Sequence, residues 1–213
     1  MNRPPIKHGD YTKQPYDYEP LVQLIRTKIY DLELQLFAAT ALVAATRAGE
    51  ISRLRVKDVD GEFVHIEKTK CKRDGRMRKV DPYRKIVKPK WYAMLVDNYL
   101  KAVRPDSRNE LLFQKKNNRF GGQLATSGVN ARVRRIMDML GADTGGITPT
   151  MHSFRKTCLN HLFEKSGRDL RAPQIHAGHR SLASTAHYLD YDRKKYAARN
   201  AESLEVGDVD SWD

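Results

Sequence analysis

The sequence predicts an α+β domain, mainly helical, with one small antiparallel sheet. The run from Leu32 to Ala45 is apolar nearly all round, as a helix buried inside a core is. Between Glu62 and Val80, a strand-like segment, the turn Arg73-Asp74-Gly75-Arg76 and a return from Met77 to Val80 predict a β-hairpin. Helix-forming patterns occupy most of what remains.

Residues 1–18 combine prolines, tyrosines and mixed charges without apolar periodicity, which predicts a flexible lead or a linker remnant. Leu21, Leu24, Ile25 and Lys28 are spaced for a short amphipathic helix, and Asp31 is a good N-cap for the apolar run. That run is too short and too rich in alanine to span a bilayer. Thr46-Arg47-Ala48-Gly49-Glu50 follows at once. A guanidinium at the end of a buried helix needs a carboxylate or a phosphate, and Glu50 is the structural partner on offer.

Leu54, Val56 and Val59 lead through the turn Asp60-Gly61 into a strand over Glu62 to Thr69. Period-two geometry puts Lys68, Lys70 and Lys72 on one face of the hairpin, where they either meet phosphates in a groove or guard a solvated edge. Pro89 suits the first turn of a helix from Lys90 to Ala102, with Trp91, Met94, Leu95 and Leu100 as its apolar stripe and Trp91 in the core. Leu111 to Phe113 is a short apolar segment, and Gln114 to Gly122 is a basic loop. Thr126 or Ser127 caps a helix through Leu140, whose Arg132, Arg134 and Arg135 project on several sides, some placed to follow a DNA backbone and most simply solvated. Thr150 caps the next helix, Ala172 to His176 forms a short one closed near Gly178, and Ser184 opens the segment that presents Tyr188.

Composition narrows the class. A chain of 213 residues favours one domain with a sizeable core. Cys71 and Cys158 lie far apart and no secretory or membrane-spanning stretch is evident, so the expectation is a soluble intracellular protein. Its 39 Lys and Arg against 26 Asp and Glu give a formal charge of +13, and the expected partner is a polyanion. The charge is uneven. Eleven Lys and Arg fall between Lys68 and Lys90, whereas Ala201 to Asp213 carries five acids and no base. Sequence patterns for nucleotide loops, zincin helices and serine-hydrolase elbows are missing. Cys158, His161, His176 and His179 lack the close-spaced pairs of a zinc site.

The chemistry-bearing residues cluster between Thr150 and Asp190. His152 and Arg155 stand three apart on one helix face. His179, preceded by Gly178, comes 24 residues after Arg155, and Tyr188 nine after His179. Tyr191, three further on, lies on a similar helix face and is the rival phenol. Two imidazoles, a guanidinium and a phenol are a set that a compact helical fold can bring to a single phosphate.

Arg47 with Glu50 three later, Lys70 on a hairpin 23 residues on, His152-Ser153-Phe154-Arg155, Gly178-His179 and Tyr188 resemble, in order and spacing, the catalytic domain of the tyrosine recombinases, or phage integrases. The resemblance runs from about Leu21 to Asp192. Ala45-Thr46 stands where the family usually has Gly-Leu, and Phe154 where it usually has leucine; both read as packing positions. The family's amino-terminal clamp domain exceeds the lead available here, so the sequence reads as an excised catalytic fragment or a natural minimal form. The expected division is a lead over 1–18, a catalytic domain over 19–200 and an acidic tail over 201–213.

The resemblance implies a site-specific recombinase that cleaves and rejoins double-stranded DNA through a 3′-phosphotyrosyl intermediate, without cofactor or metal. It implies Tyr188 as nucleophile, Arg47, Arg155 and His179 on the phosphate oxygens, His152 assisting removal of the phenol proton and Lys70 as general acid, with Lys68 and Lys72 as rivals. Lys68, Lys72, Arg73 and Arg76 are the expected DNA contacts. A homo-oligomer on DNA, dimer or tetramer, in a prokaryotic or viral cytoplasmic setting is implied, with no membrane and no small-molecule substrate. The alternatives are a type IB topoisomerase, which shares nearly the same set, and a noncatalytic DNA-binding protein on the same fold.

Overall fold

The computed structural model describes residues 16–67, 83–103, 105, 107–115, 122–140 and 150–189. Lys68, Lys70, Lys72, Arg73 and Arg76, the return segment 77–80, Tyr191 and the acidic tail lie outside the described residues.

The apolar run forms α2 (Leu32–Val43), and Asp31 caps it by accepting from the Leu34 backbone N–H at 3.1 Å. Every residue from Leu34 to Val43 is buried. This helix is the central column of the fold, in contact with α1 (Tyr18–Lys28), α4 (Lys90–Val103), α5 (Thr126–Leu140) and α6 (Met151–Lys165). Its polar groups are satisfied internally, as burial requires. Gln35 donates to the Ile25 carbonyl at 3.1 Å, and the Thr40 hydroxyl donates to the Leu36 carbonyl at 2.7 Å. With its one proton so used, Thr40 accepts from the Tyr92 hydroxyl at 2.9 Å.

That bond explains why α4 turns differently from the face predicted for it. Tyr92, Val96 and Tyr99 are buried, Trp91 is half-buried and Met94 is 63% exposed. Both tyrosines reach acceptors from the core side, Tyr99 donating to the Leu112 carbonyl at 3.1 Å, so they take the inner face and leave Trp91 at its edge. Arg132 on α5 is likewise not solvated. It meets Glu33 at 2.6 Å, donates to the Gln114 carbonyl at 2.7 Å and lies over the Phe37 ring. The helix α1 begins earlier than expected: the Tyr16 N–H donates to Thr157 at 2.7 Å and Tyr18 stacks on His161 at 4.0 Å, tying the end of the lead to α6.

After the short helix α3 (Ala48–Ile51), the strand β1 (Phe63–Glu67) pairs antiparallel with β2 (Tyr83–Val87), from Phe63 opposite Val87 to Glu67 opposite Tyr83. The described partner strand therefore lies after the segment assigned to the return. Val64 and Ile66 of β1 and Arg84 and Ile86 of β2 are the buried residues of the sheet. A charge on the inner face of β2 disguises the strand in the sequence, and its reason lies in the site. The helices α6, α7 (Arg171–Ala177) and α8 (Leu182–Ala186) complete the fold, and none of the described helices is long and apolar enough to cross a membrane.

Replacing Tyr92 by Phe deprives the buried Thr40 of a donor and should lower stability by about 1 kcal/mol. Urea unfolding measures it, and an unchanged midpoint would remove this bond from the account of α4's orientation.

Candidate active site

The site forms where α2 ends. Ala45 has φ 45°, in the left-handed region that costs an L-residue about 1–2 kcal/mol. The turn presents two successive carbonyls to two guanidiniums: Arg84 Nη1 donates to Ala44 O at 2.6 Å, and Arg155 Nη1 donates to Ala45 O. Position 45 is thus conformational as well as a packing position.

Arg47 stands at the N-cap of α3 with Glu50 one turn on. Glu50 accepts from the Arg47 backbone N–H on Oε2 and from Arg47 Nη1 on Oε1, both at 2.9 Å. Arg84 Nη2 donates to the same Oε2 at 3.0 Å, and Arg155 Nη1 lies 4.0 Å from it. The ion pair expected between Arg47 and Glu50 is therefore one edge of a larger cluster. Burial pushes the Glu50 carboxyl up, but Arg84, the Arg47 N–H, Arg155 and the Arg47 charge together hold it below the ordinary carboxylate range. Three cations against one anion leave two positive charges in excess. Arg84 and Arg155 have side chains only 5% and 0% exposed, whereas Arg47 at 29% reaches solvent.

The helix α6 brings the next pair. Thr150 is its N-cap, with its N–H donating to Ser153 Oγ at 3.4 Å. One turn separates the exposed His152 from the buried Arg155. Arg155 Nη2 donates to the Ala177 carbonyl at 3.0 Å and to His179 Nε2 at 2.9 Å. Burial first, then Arg47 and Arg84, lowers the Arg155 pKa, yet a guanidinium keeps its proton throughout the working range.

Gly178 closes α7 at φ 64°, as expected of a C-cap glycine, and hands the chain to His179. The cap of α8 is Ser181, whose Oγ accepts from the Ser184 N–H at 3.3 Å; Ser184 lies inside the helix rather than opening it. Tyr188 follows α8, anchored through its main chain. Its N–H donates to Thr185 O at 2.9 Å and its carbonyl accepts from Asn160 at 2.8 Å. The phenol ring lies 5.2 Å from the Arg155 guanidinium carbon, 5.2 Å from the His179 ring and 6.3 Å from the His152 ring.

The two buried-side histidines differ in tautomer, inferred from their partners. Guanidinium groups only donate, so His179 Nε2 accepts from Arg155, and the ring proton sits on Nδ1, donating to Thr185 Oγ1 at 3.0 Å. His176 instead donates from Nε2 to the Val43 carbonyl at 2.8 Å. Burial followed by neighbouring arginines, Arg155 first for His179 and Arg84 for His176, brings both down to about 4. Cys158, 3.6 Å from His176, is buried and its thiol pushed up to about 12, an inert packing group.

Five residues singled out in the sequence, Arg47, His152, Arg155, His179 and Tyr188, thus belong to one cluster around the buried guanidiniums, while Lys70 lies outside the described residues. Sequence reasoning missed Arg84 and Thr185 and gave Glu50 too small a part. The alternation of Arg84 with Ile86 was the available signal for the first.

Two outcomes follow. Arg84→Met strips donors from Glu50, Ala44 O and His176 O and should cost about 3 kcal/mol in urea unfolding, a loss below 1 kcal/mol arguing against a shared anchor. The histidines' folded values near 4 lie below their ordinary 6.5. Between those values the unfolded chain binds more protons, so stability is full above about pH 6.5 and falls as pH drops toward 4. A denaturation midpoint that stays flat over that window would contradict the half-buried neutral imidazoles.

A putative integrase/recombinase, y4qK, from Sinorhizobium fredii is 30% identical over 175 residues, 81% of this chain and 51% of the relative. Tyrosine recombinase XerC from Chlamydia trachomatis is 29% identical over 76% of this chain and 46% of its own length. The chain thus spans about half the length of these curated relatives. The crystal structure of XerA recombinase superposes with a TM-score of 0.69 at 18% identity, covering 95% of this chain and 68% of that one. The Tn1549 transposon integrase in complex with transposon right end DNA superposes with 0.65 at 18% identity, over 90% and 66%. Residues 14–195 match the sequence pattern of the phage integrase family, and the chain belongs to that family.

Proposed function

We propose that residues 19–200 are the catalytic domain of a site-specific DNA recombinase that cuts and rejoins strands through a tyrosine. The observation that carries this reading is the Tyr188 ring lying against the Arg155 guanidinium and flanked by His179 and His152. A phenol held beside a buried cation and two imidazoles suits attack on a phosphodiester better than it suits DNA binding alone.

The Tyr188 oxygen attacks the scissile phosphorus as the bond from phosphorus to the 5′-oxygen breaks. A 3′-phosphotyrosyl diester forms and a 5′-hydroxyl leaves. One diester replaces another, so the reverse attack rejoins the strand. His152 assists departure of the phenol proton. Lys70 supplies a proton to the leaving 5′-oxygen. Arg47 and Arg155 hold the nonbridging oxygens with forked donors as charge grows there, and His179 adds a further bond.

The +13 charge supports a DNA partner, and relatives solved on DNA, including XerH bound to its difH substrate and a lambda integrase dimer on a core site, support assembly of more than one copy on the duplex. Lys68, Lys72, Arg73 and Arg76 take the backbone contacts in this reading.

The test uses a pool of nicked duplexes with randomised flanks, which release a short 5′-hydroxyl strand after cleavage. The chain should give an adduct stable to detergent, and Tyr188→Phe none; an adduct with Tyr188→Phe intact transfers the role to Tyr191. Arg155→Lys should slow adduct formation about 10²–10³-fold. Relaxation of a supercoiled plasmid without strand exchange between duplexes would place the chemistry with the type IB topoisomerases. Duplex affinity should fall steeply from 50 to 200 mM salt as counterions are displaced, and a salt-independent affinity would overturn the polyanion reading.

A further inference from the structure

We propose that Thr185 is a positioning residue whose hydroxyl lets His179 exchange between its two neutral tautomers. The inference rests on the recombinase reading for its catalytic consequence, but its structural part stands without it.

Thr185 is fully buried, and its Oγ1 lies 3.0 Å from His179 Nδ1. On the other side of the ring, Nε2 lies 2.9 Å from Arg155 Nη2, a group that cannot accept. In the DNA-free chain the ring is therefore the Nδ1–H form, with Thr185 accepting and Arg155 donating. That form cannot donate to a phosphate from Nε2. A bound phosphate oxygen needs the proton on Nε2, which leaves Nδ1 as an acceptor. A hydroxyl is the side-chain group that serves both states, because it accepts in one and donates in the other. A carboxylate would fix the Nδ1–H form, and a methyl group would leave Nδ1 without a partner. In the exchange a proton leaves Nδ1 to solvent and one arrives on Nε2 from solvent, while the Thr185 O–H rotates to donate to Nδ1. The ring stays neutral throughout.

Thr185 also accepts the Tyr188 N–H at its main-chain oxygen. One residue thereby couples the orientation of the imidazole to the position of the phenol.

Imidazole nitrogen NMR of the whole chain, with the His179 signals assigned by His179→Gln, reads the tautomer directly. The free chain should show Nδ1–H at His179, and orthovanadate, a phosphorane-like probe, should move the proton to Nε2. Thr185→Ser should preserve both states. Thr185→Val should keep Nδ1–H in the free chain, where Arg155 still donates to Nε2, but should hinder the shift to Nε2–H with orthovanadate and slow adduct formation on the nicked pool about 10–100-fold, with Thr185→Ser within about threefold of the parent. An Nε2–H ring in the free parent chain, or Thr185→Val matching the parent in both its response to orthovanadate and its rate, would overturn the proposal. Failure of every chain to form an adduct, with the tautomers as expected, would instead count against the recombinase reading alone. The parent chain's own spectrum decides the matter even where Thr185→Val does not fold.

Discussion

One buried carboxylate organises this molecule. Glu50, 3% exposed, holds Arg47, Arg84 and Arg155 within reach of two oxygens. Each arginine arrives from a different part of the chain: the start of α3, the inner face of β2 and the middle of α6. Desolvating three cations beside one anion is costly, and the fold offsets that cost with main-chain acceptors. Ala44, Ala45, His176 and Ala177 each turn a carbonyl toward a guanidinium. The surplus positive charge is therefore not a surface decoration. It is built into the junction of the helical core with the sheet, where solvent screens it least.

The same junction explains the histidines. An imidazole beside a set of fixed guanidiniums stays neutral, and each ring then has one donor and one acceptor nitrogen to place. His176 spends its donor on the end of α2, whereas His179 uses both nitrogens at once, on Arg155 and Thr185. The first ties α7 to the central helix and the second ties α8 to α6. Packing and chemistry use one network, so loosening either loosens the other.

Much of this was legible beforehand, and what escaped did so for identifiable reasons. Arg47, His152, Arg155, His179 and Tyr188 stood out because they keep a fixed order and spacing. Asp31 and Gly178 stood out because a side-chain cap and a left-handed closure have strong residue preferences. Arg84 did not, since it sits in a run crowded with bases where one arginine looks like the next; its partners Glu50, Ala44 and His176 are all distant in sequence. Thr185 is a common helix residue whose value lies in a neighbour six positions back. On α4 the larger aromatic, Trp91, drew attention, but hydroxyl partners rather than ring size decided which side faced inward. Hydrogen-bond partners across the fold are the kind of information a periodic pattern does not contain.

The left-handed torsion at Ala45 has a consequence for how the chain tolerates change. Two of the three arginines are gripped at this corner by peptide oxygens as well as by side chains elsewhere, so this part of the grip is written in a dihedral angle and not in a residue's functional group. At this fully buried position, small apolar substitutions that keep φ near 45° leave the grip intact. Branched residues, for which that torsion is steeply disfavoured, would swing both oxygens away together, disabling a charged site by altering a position that bears no charge.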